Sequence, residues 1–440
     1  MRGKFYLSLI TANIISTILK LTKLSSGTSI IGKIVLKICP DFLSHTNKYI
    51  ETKINVTGTN GKTTTSGLIS HLLKQSGHSV INNSMGANMI QGVVNAIAVD
   101  LNPFKVYSYS VIESDEAFLE VIYDKFEADY LVVTNLFRDQ LDRYGELSTT
   151  KKFIQNGINK KGNLKLLLNA DDPLVASFQG GSEHIFYGIQ NVEYNDGLEH
   201  FGTNTEETYN CPCGKPLIYN KKFFAQQGHY YCECGYKRPE PKYSANVTIY
   251  KDHSVLKIQD EYFELPLVGL FNAYNALAAI SLCKELKLDT SEINNNLKTF
   301  RVAFGRSEIK YLNGKKTLIQ LIKNPIGANE VLKTVDKNSN ILIAINDNYA
   351  DGRDVSWLWD ADFSIINDMQ KEVIVSGTRA NDMALRLKYA GINVNKIKII
   401  SGIKNAVDYV GKIAEGNITI LPTYTALLKI NKLKELKKKF

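Results

Sequence analysis

The stretch from residue 56 to residue 65 constrains this chain most strongly, because its spacing is that of a phosphate-binding loop between a strand and a helix. It reads Val-Thr-Gly-Thr-Asn-Gly-Lys-Thr-Thr-Thr. The residue five positions before Gly61 is Val56 instead of glycine, so the loop has a shortened form. Residues 53–56 precede it with strand-like character, and apolar residues recur after it with helical period at positions 68, 69, 72 and 73. The sequence therefore predicts a strand, a phosphate loop and a helix that bind a nucleoside triphosphate.

Each part of the loop has a predicted task. The two glycines let backbone N–H groups approach phosphate oxygens, Lys62 supplies a positive charge, and Thr63 offers a hydroxyl group to Mg²⁺. The predicted nucleotide-binding residues are Gly58, Thr59, Asn60, Gly61, Lys62, Thr63 and Thr64. A chance Gly-Lys-Thr in a turn is the alternative, and the flanking strand and helix patterns argue against it.

Polar residues follow several apolar strands. Apolar residues alternate with polar ones along residues 106–112, and Glu113 follows directly. Glu113 is the candidate carboxylate ligand of Mg²⁺. The alternative interpretation, which applies mainly to Asp115 and Glu116, is that these are surface carboxylates at the start of the next helix. Residues 128–135 and 164–172 repeat the pattern of an apolar strand that ends in polar groups. The sequence therefore predicts an α/β fold with a doubly wound parallel sheet and a ligand crevice at the carboxyl ends of its strands.

Four of the six cysteines form two pairs, each followed by glycine. The pairs are Cys211 with Cys213 and Cys232 with Cys234. They predict a structural zinc site in a polar ribbon inserted at residues 204–241. Each pair has one intervening residue, where zinc knuckles usually have two, so a ribbon without metal and a site completed by His229 remain alternatives. Cys39 and Cys283 lie in apolar surroundings and are predicted to be inert buried thiols.

A chain of 440 residues is too long for one core and predicts several domains. We expect an N-terminal helical segment at 1–48, a central domain at 49–303 that includes the ribbon, and a C-terminal α/β domain at 304–440. The net charge of +9 is modest. It comes without the clustered basic and aromatic residues that nucleic-acid binding requires, so no nucleic-acid partner is expected.

The N-terminal residues 5–24 predict an amphipathic packing helix. They imitate the start of a signal peptide, but polar residues interrupt them and no cleavage site follows. They are too polar to span a bilayer. The alternative is a peripheral membrane contact. The expected location is cytoplasmic, at the inner face of the membrane if that contact forms.

Five dispersed segments together resemble the Mur ligase superfamily: 57–63, 134–135, 139–142, 169–172 and 271–275. That superfamily joins an amino acid to a carboxylate through an acyl phosphate made from ATP. The resemblance implies that Asn272 and Asn275 lie against the nucleotide and that Arg306 reaches its phosphates. Many Mur ligases also carry a carbamylated lysine beyond the 139–142 motif. Lys151 and Lys152 come slightly too early for that position, so none is assigned.

Segments 324–330, 346–360 and 376–387 resemble the family of MurT subunits of lipid II isoglutaminyl synthase. The resemblance implies a Mur ligase central domain with a zinc-ribbon-like insertion, followed by a smaller Rossmann-like domain that contacts a GatD-type glutamine amidotransferase. The implied reaction uses ATP and Mg²⁺ to activate the D-glutamate α-carboxylate of lipid II and amidates it with ammonia from that partner. It also implies that Asp354 or Asp351 orients a histidine of the partner, with a slight preference for Asp354. Either residue could instead cap the helix that starts near Ser356.

The residues themselves also favour a chain that supplies only the synthetase half of a two-chain enzyme. Releasing ammonia from glutamine needs an activated cysteine, and none of the six cysteines fits that role. A self-sufficient Mur or folylpolyglutamate-type ligase is the main alternative, against which the ribbon and the tryptophans Trp357 and Trp359 weigh. A nucleotide-binding scaffold without catalysis is a third reading, and the intact loop and Glu113 argue against it.

Overall fold

The computed structural model describes residues 2–22, 30–83, 87–137, 147–195, 210–301 and 306–437. The motif at residues 139–142 and the first part of the predicted insertion, 204–209, lie outside these residues. The described chain divides into two compact units. The first ends at Arg301 and the second begins at Arg306.

The described part of the first unit contains nine α-helices, short 3₁₀ turns at Asn47–Tyr49 and Glu116–Phe118, and eleven strands. The helices are α1 (Arg2–Thr22), α2 (Ile30–Ile38), α3 (Phe42–Thr46), α4 (Lys62–Gln75), α5 (Ile90–Asp100), α6 (Leu119–Tyr123), α7 (Leu147–Asn159), α8 (Leu270–Glu285) and α9 (Thr290–Lys298). The strands are β1 (Ile50–Thr57), β2 (Val80–Asn82), β3 (Tyr107–Glu113), β4 (Tyr130–Val133), β5 (Lys165–Asn169), β6 (Glu183–Tyr194), β7 (Ile218–Phe224), β8 (Gln227–Tyr231), β9 (Tyr243–Ile249), β10 (Ser254–Ile258) and β11 (Glu261–Leu265).

Nine of these strands form one sheet in the order β11-β10-β9-β6-β5-β4-β1-β3-β2. The strands from β2 to β9 in that order pair in parallel, and β10 and β11 add an antiparallel edge. Strand β1 lies between β3 and β4, so the chain winds outward from it in both directions. A parallel sheet binds its ligands at the carboxyl ends of the strands where the winding reverses. The predicted doubly wound sheet is confirmed, and its reversal lies at the end of β1.

The N-terminal helices share the core of the first unit. Phe5, Leu9 and Ala12 of α1 are buried in the same apolar cluster as Val93 of α5 and Ile112 of β3. Burying apolar side chains between helices and the sheet face is what holds such layers together. The segment at residues 2–22 is therefore a packing helix, as the sequence predicts for residues 5–24, of which 23 and 24 lie outside the described residues. No described helix is both long and apolar enough to cross a membrane.

The second unit is a smaller α/β sheet. Its helices are α10 (Pro325–Leu332), α11 (Trp357–Asp360), α12 (Ala380–Tyr389), α13 (Ile403–Ile413) and α14 (Tyr424–Ile430), with 3₁₀ turns at Phe363–Ile366 and Val394–Lys396. Its strands are β12 (Arg306–Leu312), β13 (Lys315–Gln320), β14 (Asn340–Ala344), β15 (Val373–Ser376), β16 (Ile397–Ile399), β17 (Ile418–Pro422) and β18 (Leu436–Lys437). The strand order is β16-β15-β14-β17-β13-β12-β18, parallel from β16 to β13. The winding reverses between β14 and β17, so polar loops after these two strands meet at one edge.

Candidate active site

The phosphate loop has the conformation that its glycines predict. Strand β1 ends at Thr57 and helix α4 begins at Lys62, with Thr64 in its first turn. Gly58 and Gly61 have φ angles of 121° and 83°, which side chains rarely adopt. A Cβ atom on Gly61 would lie 2.0 Å from Oδ1 of Asn275. The loop therefore requires glycine at this position for both its backbone angle and its space.

The segment at residues 134–137 holds this loop in place. The backbone N–H groups of Thr59 and Asn60 donate to the backbone oxygen and to Oδ1 of Asn135, both at 2.9 Å. The hydroxyl group of Thr134 donates to the carbonyl of Asn60 at 2.7 Å, and the N–H of Phe137 donates to Oγ1 of Thr59 at 3.0 Å. The Thr-Asn pair that contributes to the family resemblance thus acts here as the support of the phosphate loop.

Lys62 is buried against carboxylates. Its Nζ donates to Oε1 of Glu116 at 2.8 Å and to the carbonyl of Gly58. Burial lowers the pKa of Lys62, but the negative charges of Glu116, Asp115 and Glu113 outweigh burial and the pKa is raised. The ammonium group therefore stays charged beside the phosphate loop, where it can neutralise a phosphate.

Asp115 and Glu116 are not surface carboxylates, and that alternative interpretation of them is wrong. Both are only 4% exposed. Asp115 does open the next turn, because its Oδ1 accepts from the N–H of Ala117 at 3.2 Å. Glu116, which the sequence does not identify as part of the site, is the ion-pair partner of Lys62. The sequence shows an acidic residue three positions after Glu113. Its burial follows from the 3₁₀ turn at residues 116–118, which the alternation of apolar and polar residues does not predict.

Glu113 and Thr63 lie in contact at the end of β3. The hydroxyl group of Thr63 donates to Oε2 of Glu113 at 2.5 Å, and Nδ2 of Asn88 donates to Oε1 at 3.3 Å. The N–H of Glu113 donates to Oδ1 of Asn83 at 2.8 Å, which fixes the backbone at this point. A hydroxyl and a carboxylate oxygen are hard donors, the kind that Mg²⁺ prefers next to phosphates. The donor set therefore fits the predicted magnesium site.

Helix α8 brings its two asparagines to this side of the unit. Oδ1 of Asn275 accepts from the hydroxyl group of Thr65 at 3.3 Å and lies against Gly61. Nδ2 of Asn272 donates to the carbonyl of Val268 at 2.8 Å. Asn275 thus contacts the phosphate loop, while Asn272 closes the start of its own helix. The resemblance to Mur ligases implies nucleotide contacts for both.

Asp171 is a buried carboxylate with a structural role that the sequence does not predict. Its carboxylate accepts from Nε of Arg238 at 2.6 Å, from the N–H of Ile189 at 2.7 Å and from the hydroxyl group of Tyr274 at 2.7 Å. These donors come from the insertion, from β6 and from α8. One carboxylate therefore ties the insertion to the helix that carries Asn275. The Asn-Ala-Asp-Asp motif at residues 169–172 indicates that Asp171 is important, but no feature of the sequence indicates that Arg238 is its partner.

The tip of the β7–β8 hairpin reaches the support of the phosphate loop. Nε2 of the fully buried Gln226 donates to the carbonyl of Leu136 at 2.5 Å and to Oδ2 of Asp172 at 3.1 Å. The same Oδ2 accepts from the N–H of Leu136 at 3.0 Å. Leu136 is part of segment 134–137. The insertion thus makes direct hydrogen bonds to the residues that position the nucleotide loop.

The four paired cysteines form one cluster. Their sulfur atoms all lie within 4.8 Å of one another. The closest are the Sγ atoms of Cys211 and Cys234 at 3.3 Å and those of Cys213 and Cys232 at 3.6 Å. A tetrahedral zinc ion with Zn–S bonds of about 2.3 Å needs sulfur atoms roughly 3.8 Å apart. The cluster is therefore compact enough for a metal ion despite the single-residue spacing within each pair.

The two cysteine pairs turn in the same way. The N–H of Gly214 donates to the carbonyl of Cys211 at 2.8 Å, and that of Gly235 donates to the carbonyl of Cys232 at 3.0 Å. Both glycines have positive φ angles, 87° and 93°. A hydrogen bond from the backbone of Tyr236, followed by those from the neighbouring thiols, lowers the pKa of Cys234 to about 7. Burial, in contrast, raises the pKa of Cys211 to about 12, so the hydrogen bonds favour the thiolate, which is the form that binds metal, at Cys234.

His229 does not complete this cluster, so that alternative is wrong. Its Nε2 donates to the carbonyl of Ile189 at 2.8 Å, and its ring packs edge-on against Phe223. Cys39 and Cys283 are buried away from the cluster, as predicted for inert thiols. Burial raises the pKa of Cys283 to about 12.

In the second unit the two candidate aspartates lie on the loop after β14. Asp351 is buried and accepts from the N–H of Thr425 at 2.6 Å, from its hydroxyl group at 2.5 Å and from the N–H of Asn348 at 3.1 Å. Oδ1 of the half-buried Asp354 accepts from the N–H of Ser356 at 2.8 Å. Asp351 is thus committed to holding the loop onto α14. Asp354 closes the turn before α11 and is the more accessible of the two. Neither aspartate caps that helix as the alternative expects, because its N-cap is Ser356 and no side chain caps it.

Arg306 is the first residue of β12, and its side chain lies outside the described residues. Its predicted contact with phosphates stays a prediction. So does any role for residues 139–142.

Comparison with known proteins gives one consistent family. Residues 56–213 match the family described as Mur ligase middle domain, and residues 321–427 match that described as MurT ligase C-terminal. The chain is 37% identical over 410 residues to the lipid II isoglutaminyl synthase (glutamine-hydrolyzing) subunit MurT of Staphylococcus aureus (strain COL), with 91% of each chain covered. It is 35% identical to the subunit of that name from Streptococcus pneumoniae (strain R6), with 94% of this chain and 93% of the relative covered.

A solved structure supports the fold. The pseudomurein peptide ligase type C of Methanothermus fervidus superposes with a TM-score of 0.66 at 24% identity, covering 86% of this chain and 77% of that one. The predicted Mur ligase fold is confirmed.

Proposed function

Because this chain belongs to the MurT family of the Mur ligase superfamily, we propose that it is the ATP-dependent carbon–nitrogen ligase subunit that amidates lipid II. It activates the α-carboxylate of D-glutamate in that precursor, and the product is D-isoglutamine. The nitrogen arrives as ammonia from a glutamine amidotransferase subunit of the GatD type. The observation that carries the proposal is the phosphate loop, with the charged Lys62 beside it and the oxygens of Thr63 and Glu113 in contact at its end.

The reaction runs in two steps. An oxygen of the substrate carboxylate attacks the terminal phosphorus of ATP, ADP leaves, and an acyl phosphate forms. Ammonia then attacks the acyl carbon, phosphate leaves with the electron pair of the broken C–O bond, and the nitrogen loses a proton to give the amide. Lys62 and the loop N–H groups neutralise the charge that builds on the phosphates. Thr63 and Glu113 would hold a magnesium ion, which would supply further positive charge there.

The cysteine cluster has a structural task in this proposal. The four cysteines would hold one zinc ion as thiolates and leave no open position for a substrate, so the metal would stabilise the ribbon and take no part in the chemistry. The ribbon matters for the reaction through Gln226 and Arg238, which bond to residues beside the phosphate loop and to Asp171.

Asp354 is the residue to which we assign the contact with the histidine of the partner subunit. A carboxylate on a loop can fix the tautomer of a histidine across an interface, and Asp354 is more accessible than Asp351. The Asp354→Asn variant should lose amidation driven by glutamine and retain amidation driven by free ammonium. Loss of both activities, or retention of both, would remove Asp354 from this role.

The acyl phosphate itself can be tested by oxygen transfer. Lipid II whose D-glutamate carboxylate carries heavy oxygen is incubated with the chain, ATP and ammonium chloride, and the released phosphate is examined by mass. One labelled oxygen per phosphate is expected, because the carboxylate oxygen that attacks ATP leaves with the phosphate. Unlabelled phosphate alongside amide product would refute the acyl phosphate route. The Lys62→Ala variant serves as the control that should form neither product.

A further inference from the structure

Helix α1 exposes a continuous apolar face. We call this face the α1 stripe. Its five residues are between 52% and 78% exposed: Leu7, Ile10, Ile14, Ile18 and Leu21. Their spacing of three, four, four and three residues keeps them within an arc of about 80° at 100° per residue. Single exposed apolar side chains are ordinary, but five aligned on one helix face call for a partner.

The orientation of α1 is fixed by its other face. The ring of Phe5 stacks on Phe42 and on Tyr49, with ring centres 5.3 and 5.8 Å apart. Leu9 and Ala12 are buried in the core of the first unit. The stripe is therefore presented outward by a well-anchored helix.

The stripe is accompanied by positive charge. The sequences of α1 and α2 contain five basic residues and no Asp or Glu: Arg2, Lys4, Lys20, Lys33 and Lys37. Lys33 and Lys37 are exposed and line an open groove on α2 together with Ile30, which is itself 55% exposed. The neighbouring carboxylate of Asp41 is paired with Lys125 at 2.8 Å. An apolar face on α1 and exposed lysines on the neighbouring helix α2 suit a surface that is both apolar and anionic.

We propose that the α1 stripe and the basic face of α2 dock on the surface of an anionic lipid bilayer. The apolar side chains enter the boundary between head groups and acyl chains, and the lysines contact anionic head groups. A second copy of the chain is a poorer partner for this surface. The charged residues in the sequences of α1 and α2 are all positive, so two such surfaces repel each other when paired. No described helix is long and apolar enough to cross a membrane, so the contact lies on the surface. This inference is independent of the reaction proposed above.

Vesicle sedimentation with the full chain tests the proposal. Vesicles of phosphatidylcholine alone are compared with vesicles that also contain phosphatidylglycerol, at low and at physiological salt. The chain should sediment with the anionic vesicles at least tenfold more strongly than with the neutral ones. The triple variant Ile10→Asp, Ile14→Asp, Ile18→Asp should lose at least tenfold of this binding. The matched control is Phe104→Asp, which adds a charge at a 94% exposed aromatic residue of the same unit and should change little.

A second pair of variants tests the charges. Lys33→Gln and Lys37→Gln should each weaken binding to anionic vesicles about fivefold, since one basic residue near such a surface contributes about that factor. Thermal unfolding and ATP binding in the absence of lipid should match the unmodified chain, which shows that the fold is intact.

Three results would overturn the proposal: no sedimentation with anionic vesicles, equal sedimentation of the triple variant and the unmodified chain, or a dimer of the unmodified chain that the triple variant loses in analytical ultracentrifugation. The last of these would assign the stripe to a second copy.

Discussion

Two adjacent glutamines at the tip of the β7–β8 hairpin provide a matched test of how the insertion acts on the nucleotide site. Gln226 and Gln227 are both fully buried. Nε2 of Gln226 donates to the carbonyl of Leu136 and to Asp172, whereas neither amide atom of Gln227 has a partner among the described residues. We predict that Gln226→Met weakens both stability and ATP binding and that Gln227→Met weakens neither.

The magnitude follows from the bonds that each change removes. Gln226→Met leaves the buried carbonyl of Leu136 without this donor, and a buried unsatisfied group costs about 1–3 kcal/mol. Asp172 keeps three backbone donors, from residues 136, 174 and 175. Oε1 of Gln226 has no partner in the part of the chain that the structure describes, so its removal offsets part of the loss. The net decrease in the free energy of unfolding should be about 1–2 kcal/mol.

Only part of this loss reaches the nucleotide. Segment 134–137 must hold Thr59 and Asn60 in the conformation that binds phosphates. A shift of about 1 kcal/mol in that conformational balance corresponds to roughly a fivefold weaker ATP affinity. For Gln227→Met, replacing two unpaired buried polar atoms by an apolar side chain of similar shape should leave stability unchanged or raise it slightly.

The assay is titration calorimetry with a non-hydrolysable ATP analogue and Mg²⁺, together with the midpoint of thermal unfolding for both variants. A higher Kd and a lower Tm are expected for Gln226→Met alone. If both variants shift ATP affinity equally, or if Gln226→Met leaves it unchanged, the hydrogen bonds from the insertion do not position the phosphate loop.

Three further predictions concern other parts of the chain. Gly61→Ala should abolish ATP binding, because its φ of 83° and the 2.0 Å approach of Asn275 exclude a Cβ atom; calorimetry that finds ATP bound as before would contradict this. Thiol titration should find no fast-reacting cysteine in the metal-loaded chain, two after chelation and six in denaturant, since Cys213 and Cys234 are exposed and the other four cysteines are buried; two fast thiols before chelation would mean an empty cluster. Asp171→Ala should lower the free energy of unfolding by about 3–5 kcal/mol by leaving the largely buried guanidinium of Arg238 without its carboxylate, and chemical unfolding that finds less than about 1 kcal/mol would show that the pair is dispensable.

The sequence predicts those parts of the site that depend on local pattern. The glycine spacing at 58 and 61 and the apolar strand before it predict the loop and its place at the end of β1, because backbone angle and burial are local properties. The cysteine pairs predict their own cluster because two such pairs, each followed by glycine, are the pattern of a metal site. Glu113 follows from its position at a strand end, where polar groups of a parallel sheet gather.

The parts that escaped prediction depend on long-range packing. Glu116 pairs with Lys62 across 54 positions of sequence, and Arg238 meets Asp171 across 67. Such pairs form only when distant elements fold together, and one sequence carries no signal for them. The exposure of the α1 stripe is a similar case: the helical period is visible in the sequence, but which apolar face turns toward the core follows from contacts such as those of Phe5.

The most direct test of the account is amide formation on lipid II by the purified chain with ATP, followed by product mass. With ammonium chloride and no partner, we predict D-isoglutamine-containing lipid II and one ADP per amide; with glutamine, we predict product only after the amidotransferase subunit is added. A product that carries a whole added amino acid, or amidation from glutamine by this chain alone, would contradict it and favour a self-sufficient ligase.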